Sequence, residues 1–393
     1  MISHELVRVF AHFFHMSKTF DEDIIDSYNH RITTIFLLMC MTLVILYDYF
    51  EEAVVCWTPS QFSDSWVQYT RKICWVSNNY FVSMSDQDLS SAVRSEVVYY
   101  QWTPIILTIQ TVLFCLPFIF WKEFSRSSGI DLNGIAKSAK DLEYESSDRR
   151  TRGIRSVTKH IDRYLTHYKD FRTGWCQTLT AELASFGCFF GKRHGNHLVA
   201  IYLLSKLMYI GNACLQLYLL NVFLGTDYYV YGVEALRDVA NNGTYRECSR
   251  FPRVGLCDFE IRTLSNNIEH YTVQCTMPIN IFNEKIFLIL WFWLTTIGLL
   301  NLASTISWMW TMFASDQRSY FKDHLLVLDL YDRSKDKKKL HSFVTHYIRQ
   351  DGHFVIRMLE LNSSDMVATE VVGALWNRYN KHYKREDNSL YEV

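Results

Sequence analysis

The stretch that decides the fold is Ile286 to Phe313, IFLILWFWLTTIGLLNLASTISWMWTMF, in which no acidic or basic residue occurs. As a single helix it would be roughly 42 Å long, because each helical residue adds about 1.5 Å. A hydrocarbon core of about 30 Å needs only about 20 such residues. The stretch is therefore long enough to cross a membrane with some tilt, or to extend beyond it.

Three more apolar blocks accompany the first one. They are Thr33–Phe50, Pro104–Trp121 and Leu198–Gly225. One such block alone would also suit a helix in a large soluble core, but four blocks with almost no charged residue inside them favour membrane spans. We therefore predict an all-α integral membrane protein with a bundle of four transmembrane helices and a cytoplasmic helical domain.

Composition and the amino terminus narrow the class further. The 393 residues carry a formal net charge of -1, which gives no electrostatic reason to expect a nucleic-acid partner. The first 32 residues hold no short apolar run followed by a small-residue cleavage site. We therefore expect the amino terminus to stay attached and the first span to act as its own insertion signal.

Lysine and arginine counts beside the spans predict the orientation, because cytoplasmic flanks are enriched in both. Within 16 residues of the blocks, the side that holds both termini has nine, and the opposite side has three. The predicted order is a cytoplasmic amino terminus (1–32), first span (33–50), extracellular loop (51–103), second span (104–121), cytoplasmic loop (122–197), third span (198–225), extracellular loop (226–285), fourth span (286–313) and cytoplasmic carboxyl terminus (314–393).

The predicted extracellular loops hold five cysteines: Cys56, Cys74, Cys248, Cys257 and Cys275. Cysteines in an oxidising compartment can pair, but spacing alone does not give the connectivity. Since five is odd, at least one of them is free or pairs between chains. Asn242 begins a glycosylation sequon in the second of these loops. Asn362 begins another on the predicted cytoplasmic side, where it should stay unmodified.

Signatures of covalent chemistry are absent from the sequence. It contains no GxxxxGK[ST], GxSxG, HExxH or CxxC motif. His194 and His197 have a spacing that suits one helix face, but no further ligands accompany them. We therefore predict a protein that is not an enzyme, with no catalytic residue, cofactor or metal.

Several motifs resemble one family. YYQWTP, Tyr99 to Pro104, resembles the YYQWxP signature of the innexins, the gap-junction proteins of invertebrates. Further stretches resemble that family in the same order: Asp23, Asp26, Asn29 and Thr33; Cys56–Pro59 with Phe62; Tyr202, Lys206, Tyr209, Asn212 and Gln216; Phe251–Val254 and Cys257–Phe259; Asn283–Ile286 with Leu290–Trp293; Asp351, Gly352, Phe354 and Arg357. The ordered set covers most of the chain. Cys248 departs from the family pattern of two cysteines per loop, and Asp141 to Arg155 matches no motif of the family.

The resemblance implies which cysteines pair. It predicts disulfides between the two extracellular loops, Cys56 with Cys275 and Cys74 with Cys257. A rigid, doubly bonded cap of this kind would meet its counterpart on a neighbouring cell.

The resemblance also implies that amino-terminal helices ring the cytoplasmic mouth of the pore. The pore-mouth candidates have helical spacing: Leu6, Phe10, Phe13 and Phe14. The residues alone equally suit a short helix lying on the inner membrane surface. If the helices do ring the pore, His4, His12 and His15 would make the conductance sensitive to pH.

YYQWTP itself has a physical interpretation. Tyr99, Tyr100 and Trp102 are typical of a membrane interface, where the ring is partly buried and the polar tip is wet. Pro104 suits the first turn of a helix, where its missing N–H leaves no hydrogen bond unmade. We predict that the stretch anchors the second span at the outer leaflet.

Lys206 is the formal charge that lies well inside a predicted span. Such a residue is costly in lipid, and its long stem would let the ammonium reach the interface. Tyr209, Asn212 and Gln216 share a helical face near it. Polar side chains in this pattern more often join helices than line a pore.

These observations predict a subunit of an oligomeric large-pore gap-junction channel that passes ions and small molecules between adjacent cells. The expected partners are innexin chains in a homo- or hetero-oligomeric ring, the same or a related channel on the neighbouring cell, and membrane lipids. The expected location is the plasma membrane at cell–cell junctions. Two alternatives remain: an unpaired channel, which a glycan on a docking surface at Asn242 would favour, and a non-conducting junctional adhesion or scaffold protein.

Overall fold

A computed structural model describes residues 19–50, 53–77, 79–81, 95–97, 99–166, 195–225, 227–242, 251–262, 267–333 and 335–390. The chain divides into two compact units. The described part of the first lies within Arg31–Phe114 and Gly211–Leu299, and we call it the disulfide unit. The described part of the second lies within His15–His30, Cys115–Ile210 and Leu300–Val393, and we call it the helical unit.

Helices make up most of the described chain. Their bounds are α1 Ile24–Ser27, α2 Thr33–Phe50, α3 Asp64–Val76, α4 Tyr99–Ser127, α5 Leu132–Asp141, α6 Ser147–Thr166, α7 His197–Leu224, α8 Tyr231–Asn242, α9 Ile279–Met309, α10 Gln317–Val327, α11 Lys337–Ser342, α12 Arg349–Asn362 and α13 Asp365–Leu390. Short π-helical turns join α1 to α2 (Tyr28–Ile32), extend α9 (Trp310–Ala314) and precede α12 (Phe343–Ile348).

Four helical stretches in the described part of the chain are long and apolar enough to cross a membrane. They are Ile24–Asp48, Tyr99–Ser127, His197–Leu224 and Ile279–Ala314. Each begins before the purely apolar block that the sequence indicated. The first begins with a capping box, in which Asp23 and Asp26 satisfy each other's backbone N–H groups.

One antiparallel sheet lies in the disulfide unit. Its strands are β1 Val55–Cys56, β2 Asn79–Phe81, β3 Ser95–Val97, β4 Val254–Arg262 and β5 Ile268–Thr276. They are arranged in the order β1-β5-β4-β2-β3. β4 and β5 form a long hairpin, with Val254 opposite Thr276 and Arg262 opposite Ile268. The sheet thus joins chain segments that come before the second span and before the fourth.

Alternation along β4 decides which side chains enter the core of the disulfide unit. Cys257 and Phe259 are buried, whereas Asp258 and Glu260 between and beyond them are exposed. Successive side chains of a strand point to opposite faces, so a run of this kind covers one side of the sheet with apolar surface. Cys275 on β5 is fully buried in the same core.

The helical unit has a separate core, built around one aromatic group. Trp121 of α4, Tyr202 of α7, Trp308 of α9 and Phe354 of α12 pack with ring centroids 5.0–6.1 Å apart. These rings are almost fully buried. Three apolar helices are therefore held by the same residue of α12, and edge-to-face pairs add about 0.5–1.5 kcal/mol each beyond their buried area.

Candidate functional site

Two disulfides lie in the disulfide unit, and the structure brings the four sequence-predicted cysteines together as Cys56–Cys275 and Cys74–Cys257. Cys56 and Cys275 are register partners on β1 and β5. Cys74 sits in the last turn of α3, and its bond ties that helix to β4. All four residues are buried. Both bonds therefore connect the segment after the first span to the segment before the fourth.

The sulfur atoms of Cys56, Cys74 and Cys275 lie within 4.8 Å of one another. Such a cluster of free cysteines would suit a soft metal ion, since thiolate is the metal ligand. Here each sulfur is already bonded to another sulfur. The cluster is therefore a double covalent cross-link.

The structure corrects two expectations about YYQWTP. Helix α4 begins at Tyr99, so Pro104 lies beyond the first turn that its chemistry suggested. Tyr100 is only 2% exposed and is not wet. Its hydroxyl donates to the carbonyl of Trp75 at 3.1 Å and accepts from Asn79 Nδ2 at 3.2 Å. Residues of the disulfide unit supply those partners, so the Tyr100 hydroxyl forms its hydrogen bonds within the protein and not with water at a membrane interface.

The remaining residues of that stretch divide between packing and exposure. Tyr99 packs edge-on against Phe223 and Phe251. Gln101 Nε2 donates to the carbonyl of Trp75 at 2.6 Å. Trp102 is 54% exposed, which is compatible with the predicted interface anchor. YYQWTP therefore fixes the end of α3 to the start of α4.

Lys206 lies at the centre of a buried ion cluster in the helical unit. Its Nζ atom is 2.8 Å from Asp26 Oδ1, 3.3 Å from Asp23 Oδ2 and 2.7 Å from Ser304 Oγ. Ser304 donates in turn to Asp23, and the hydroxyl of Tyr202 donates to Asp26. Lys206 is 1% exposed, so the expectation that its stem carries the charge to the interface is wrong. The carboxylates of Asp23 and Asp26 instead pair with the ammonium inside the helical unit.

The acidic residues just before the first span differ in their pKa values and in their partners. Burial raises the pKa of Glu22 to about 8, which favours the neutral form of this carboxyl near physiological pH. Burial would also raise the pKa of Asp23, but the ammonium of Lys206 and the hydrogen bonds from its neighbours outweigh it and hold this pKa below its usual value. Asp21 pairs with Lys122 at 3.0 Å. The acidic residues before the first span thus combine carboxylates paired with lysines and one carboxyl whose protonated form burial favours.

Asp351 was known from the sequence only as part of a motif, and the structure shows its contacts. Its carboxylate accepts the N–H groups of His197, Leu198 and Val199 at 3.0–3.3 Å, together with the hydroxyl of Tyr164. It therefore caps α7 from a distant part of the chain. Burial raises the pKa of Asp351 to about 6. No local sequence pattern indicates a cap supplied from 150 residues away, so this role could not be predicted.

The other polar residues predicted inside the third span form a small pair. Gln216 Nε2 donates to Asn212 Oδ1 at 3.1 Å, and both side chains are buried in the disulfide unit. Lys206 belongs to the helical unit instead. The three residues are therefore not one site.

Several predicted residues lie outside the described part of the chain. They are the pore-mouth candidates Leu6, Phe10, Phe13 and Phe14, the histidines His4, His12 and His15, and Cys248. Asn242 is the last residue of α8, and its side chain is also outside the description.

These features define a class of protein. Four apolar helices of membrane-spanning length carry a unit in which two inter-span segments share a sheet and two disulfides. The chain is a multi-pass α-helical membrane protein.

Comparison with known proteins identifies the family. The innexin family model matches residues 22–379. Innexin unc-9 of Caenorhabditis elegans is 33% identical over 373 residues, which cover 93% of this chain and 95% of the relative. Innexin eat-5 is 30% identical over 90% of this chain and 86% of its own length, and Innexin-11 is 31% identical over 95% and 82%; both are from the same organism.

The chain belongs to the innexin family. Innexins form gap-junction channels, and the function of this chain is that of a gap-junction channel subunit. Innexins are channel proteins and not enzymes. As a family member, the chain assembles with innexin chains in a multi-pass membrane arrangement at gap junctions.

Proposed function

We propose that the two loops joined by the disulfides face the extracellular gap and dock on the same loops of a channel in the neighbouring cell, while both termini lie in the cytosol. The observation that carries this proposal is the pair of buried disulfides, Cys56–Cys275 and Cys74–Cys257. Disulfides form and persist in oxidising compartments and are rare in the cytosol. The excess of lysine and arginine on the opposite side of the spans supports the same orientation.

The cross-links suit a docking surface. The Cys74–Cys257 bond ties α3 to β4, and the Cys56–Cys275 bond ties β1 to β5, so the exposed side chains of α3 are held on a stiff support. Trp66, Tyr69 and Trp75 of α3 are each between 39% and 48% exposed. Rigid aromatic side chains give large contact area at a small entropic cost. Pre-organisation of this kind improves the binding of two caps without new contacts.

A ring of several copies would provide the conduit. Four helices of one chain cannot enclose a wide aqueous pore while they also pack on each other, and cyclic symmetry supplies identical walls. Few charges lie inside the spans, so selectivity would depend on the loops and the termini more than on a narrow filter.

Paired-cell recording tests docking. The chain is expressed in cells that lack coupling of their own, and both cells of a touching pair are voltage-clamped. We expect junctional current only when both cells express the chain. Current in single cells combined with silence between touching pairs would contradict docking. Silence in both settings, with the protein at the surface, would contradict a homomeric channel.

Glycosylation tests the orientation independently. Asn242 and Asn362 both begin sequons, and the proposed orientation places only the first in the lumen during synthesis. Asn242→Gln should abolish the mobility shift that glycosidase treatment produces, and the matched variant Asn362→Gln should leave it unchanged. A glycan at Asn362 would reverse the orientation.

A further inference from the structure

A cavity of about 790 Å³ opens in the helical unit. It lies beside the carboxyl end of α4 at Ser127 and Ser128, beside α5 and α6, and next to Gly195, just before α7. Cavities that bind small molecules measure roughly 300–1,000 Å³ and combine an apolar lining with a few placed polar groups. Its lining includes neither the disulfide cysteines nor the residues of the Lys206 ion cluster.

One wall of the cavity is apolar, and two arginines also line it. Ile135 of α5 and Val157 of α6 line it as buried side chains. Arg163 of α6 and Arg349 of α12 also line it, and Arg163 is exposed. Within the described ranges no carboxylate forms an ion pair with Arg163. An exposed guanidinium beside an apolar wall favours a ligand with an anionic head and an apolar body.

The acidic residues of the lining have partners of their own. Asp351 accepts three backbone N–H groups of α7, and it is 3% exposed. Asp131 caps α5 through the N–H of Gly134 at 3.0 Å. Both carboxylates sit at helix amino termini, where the helix dipole offsets their charge. Asp131 is exposed, and Arg349 Nε donates to the carbonyl of His346 at 3.0 Å, so Arg163 is the arginine of the lining that is exposed to an incoming ligand.

The backbone around the cavity is unusual. Gly129 and Gly195 line it with φ of 91° and 70°, and Arg349 lines it with φ of 57°. A side-chain-bearing residue with positive φ is strained and persists where the surroundings enforce it, often at functional sites. The stem of Arg349 packs on Gly195 so closely that any added Cβ there would overlap it. That contact holds the guanidinium of Arg349 beside the cavity.

The position of the cavity along the chain selects the ligand. Ser127 ends one membrane-spanning helix, and Gly195 precedes the next, which begins at His197. A site at the ends of two spans lies at the level of lipid headgroups. An anionic lipid at that level can present a phosphate to arginines and an acyl chain to an apolar wall.

We propose that this cavity binds an anionic phospholipid of the adjacent leaflet, with its phosphate at Arg163 and Arg349 and its first acyl carbons against Ile135 and Val157. The inference uses the placement of the spans in a membrane and does not depend on docking between cells. Because Asp351 both lines the cavity and caps α7, the occupied site contacts the residue that fixes the start of the third span.

Binding is measured on the purified full-length protein in a neutral detergent. The probe is dioctanoyl phosphatidic acid, compared with dioctanoyl phosphatidylcholine and with inorganic phosphate. We expect saturable binding of phosphatidic acid, at least about tenfold weaker binding of phosphatidylcholine, and no saturable binding of phosphate, because each lost charged hydrogen bond costs about 1.5–3 kcal/mol and each 1.4 kcal/mol is tenfold. Equal binding of phosphate would show a free-anion site and overturn the proposal. Equal binding of phosphatidylcholine would show simple adsorption and overturn it too.

Variants locate the bound lipid. The double variant Arg163→Gln, Arg349→Gln should weaken the binding of phosphatidic acid at least about tenfold. Arg152→Gln is the matched control, because Arg152 is exposed on the same helix but does not line the cavity. Ser156→Trp fills the cavity from an exposed position without removing a charge, so it decides the question if the double variant misfolds. Unchanged affinity in Ser156→Trp, or equal losses in Arg152→Gln, would refute the site.

Discussion

Replacing Lys206 with methionine tests whether the buried ion cluster holds the first, third and fourth spans together. Methionine keeps the length and the apolar stem but removes the ammonium. Asp26 would then be left 2% exposed, with its charge uncompensated. The tyrosine hydroxyl of Tyr202 would remain as a donor to it, and Ser304 would remain as a donor to Asp23.

The size of the effect follows from the distances. At an effective dielectric constant of about 20, unit charges 2.8 Å and 3.3 Å apart attract by roughly 5–6 kcal/mol each. Much of this attraction is offset by the cost of burying the lysine, and removing one partner of a buried pair costs about 3–5 kcal/mol. For a chain of 393 residues, with about 2.1 cal/mol/K of unfolding entropy per residue, that loss corresponds to a fall of roughly 4–6 °C in the thermal midpoint.

The assay is the apparent thermal midpoint of the detergent-solubilised protein, followed by size-exclusion chromatography at one fixed heating rate, because unfolding of such proteins is usually irreversible. Lys339→Met is the matched control, since Lys339 is 41% exposed and pairs with Asp336 three residues before it, a type of contact that contributes little to stability. Adding Asp26→Asn to Lys206→Met should recover part of the loss, because no buried charge at residue 26 then lacks a partner. A Lys206→Met midpoint equal to that of Lys339→Met would refute the reasoning.

Three further outcomes are expected. Cys74→Ser should lower stability by about 2–5 kcal/mol and abolish junctional current, read from the thermal midpoint and paired-cell recording; wild-type current would contradict a need for the cross-link in docking. The pKa of Glu22 is about 8 in the folded protein and 4.5 when unperturbed, so the thermal midpoint of the wild type should fall as the pH rises from 4.5 to 8. Glu22→Gln should remove most of that fall. A Glu22→Gln variant with the same pH profile as the wild type would contradict the raised pKa. Gly232→Ala should destabilise by about 1–3 kcal/mol, because the added Cβ would overlap the ring of Trp291, while Gly211→Ala, with open space around it, should be neutral or slightly stabilising; equal midpoints for the two alanine variants would contradict the packing.

The four spans could be predicted because hydropathy is a local property of the sequence. Their ends could not, since α4 starts at Tyr99 where neighbouring segments offer partners to polar side chains. Hydropathy measures what lipid tolerates, and it gives no information on where a helix continues into a packed unit. The burial of Tyr100 was missed for the same reason.

Contacts between distant residues set the remaining limit. Lys206 meets Asp26 across 180 residues, and Tyr80 pairs with Leu256 in the sheet. No pattern within either segment indicates those partners, so neither the ion cluster nor the five-stranded sheet was predicted. The cysteine pairs were predicted only through the family resemblance, because spacing left every connectivity open.

The spacing of the two disulfides along the chain also limits how early each bond can form during synthesis. Cys74 and Cys257 are 183 residues apart, and Cys56 and Cys275 are 219 apart. At about 5–20 residues per second, a ribosome needs roughly 10–40 s to deliver the later cysteine of each pair. In the proposed orientation Cys74 is the first cysteine to share a compartment with Cys56. If these two neighbours bond early, thiol–disulfide exchange must break that bond before the native pairs can form.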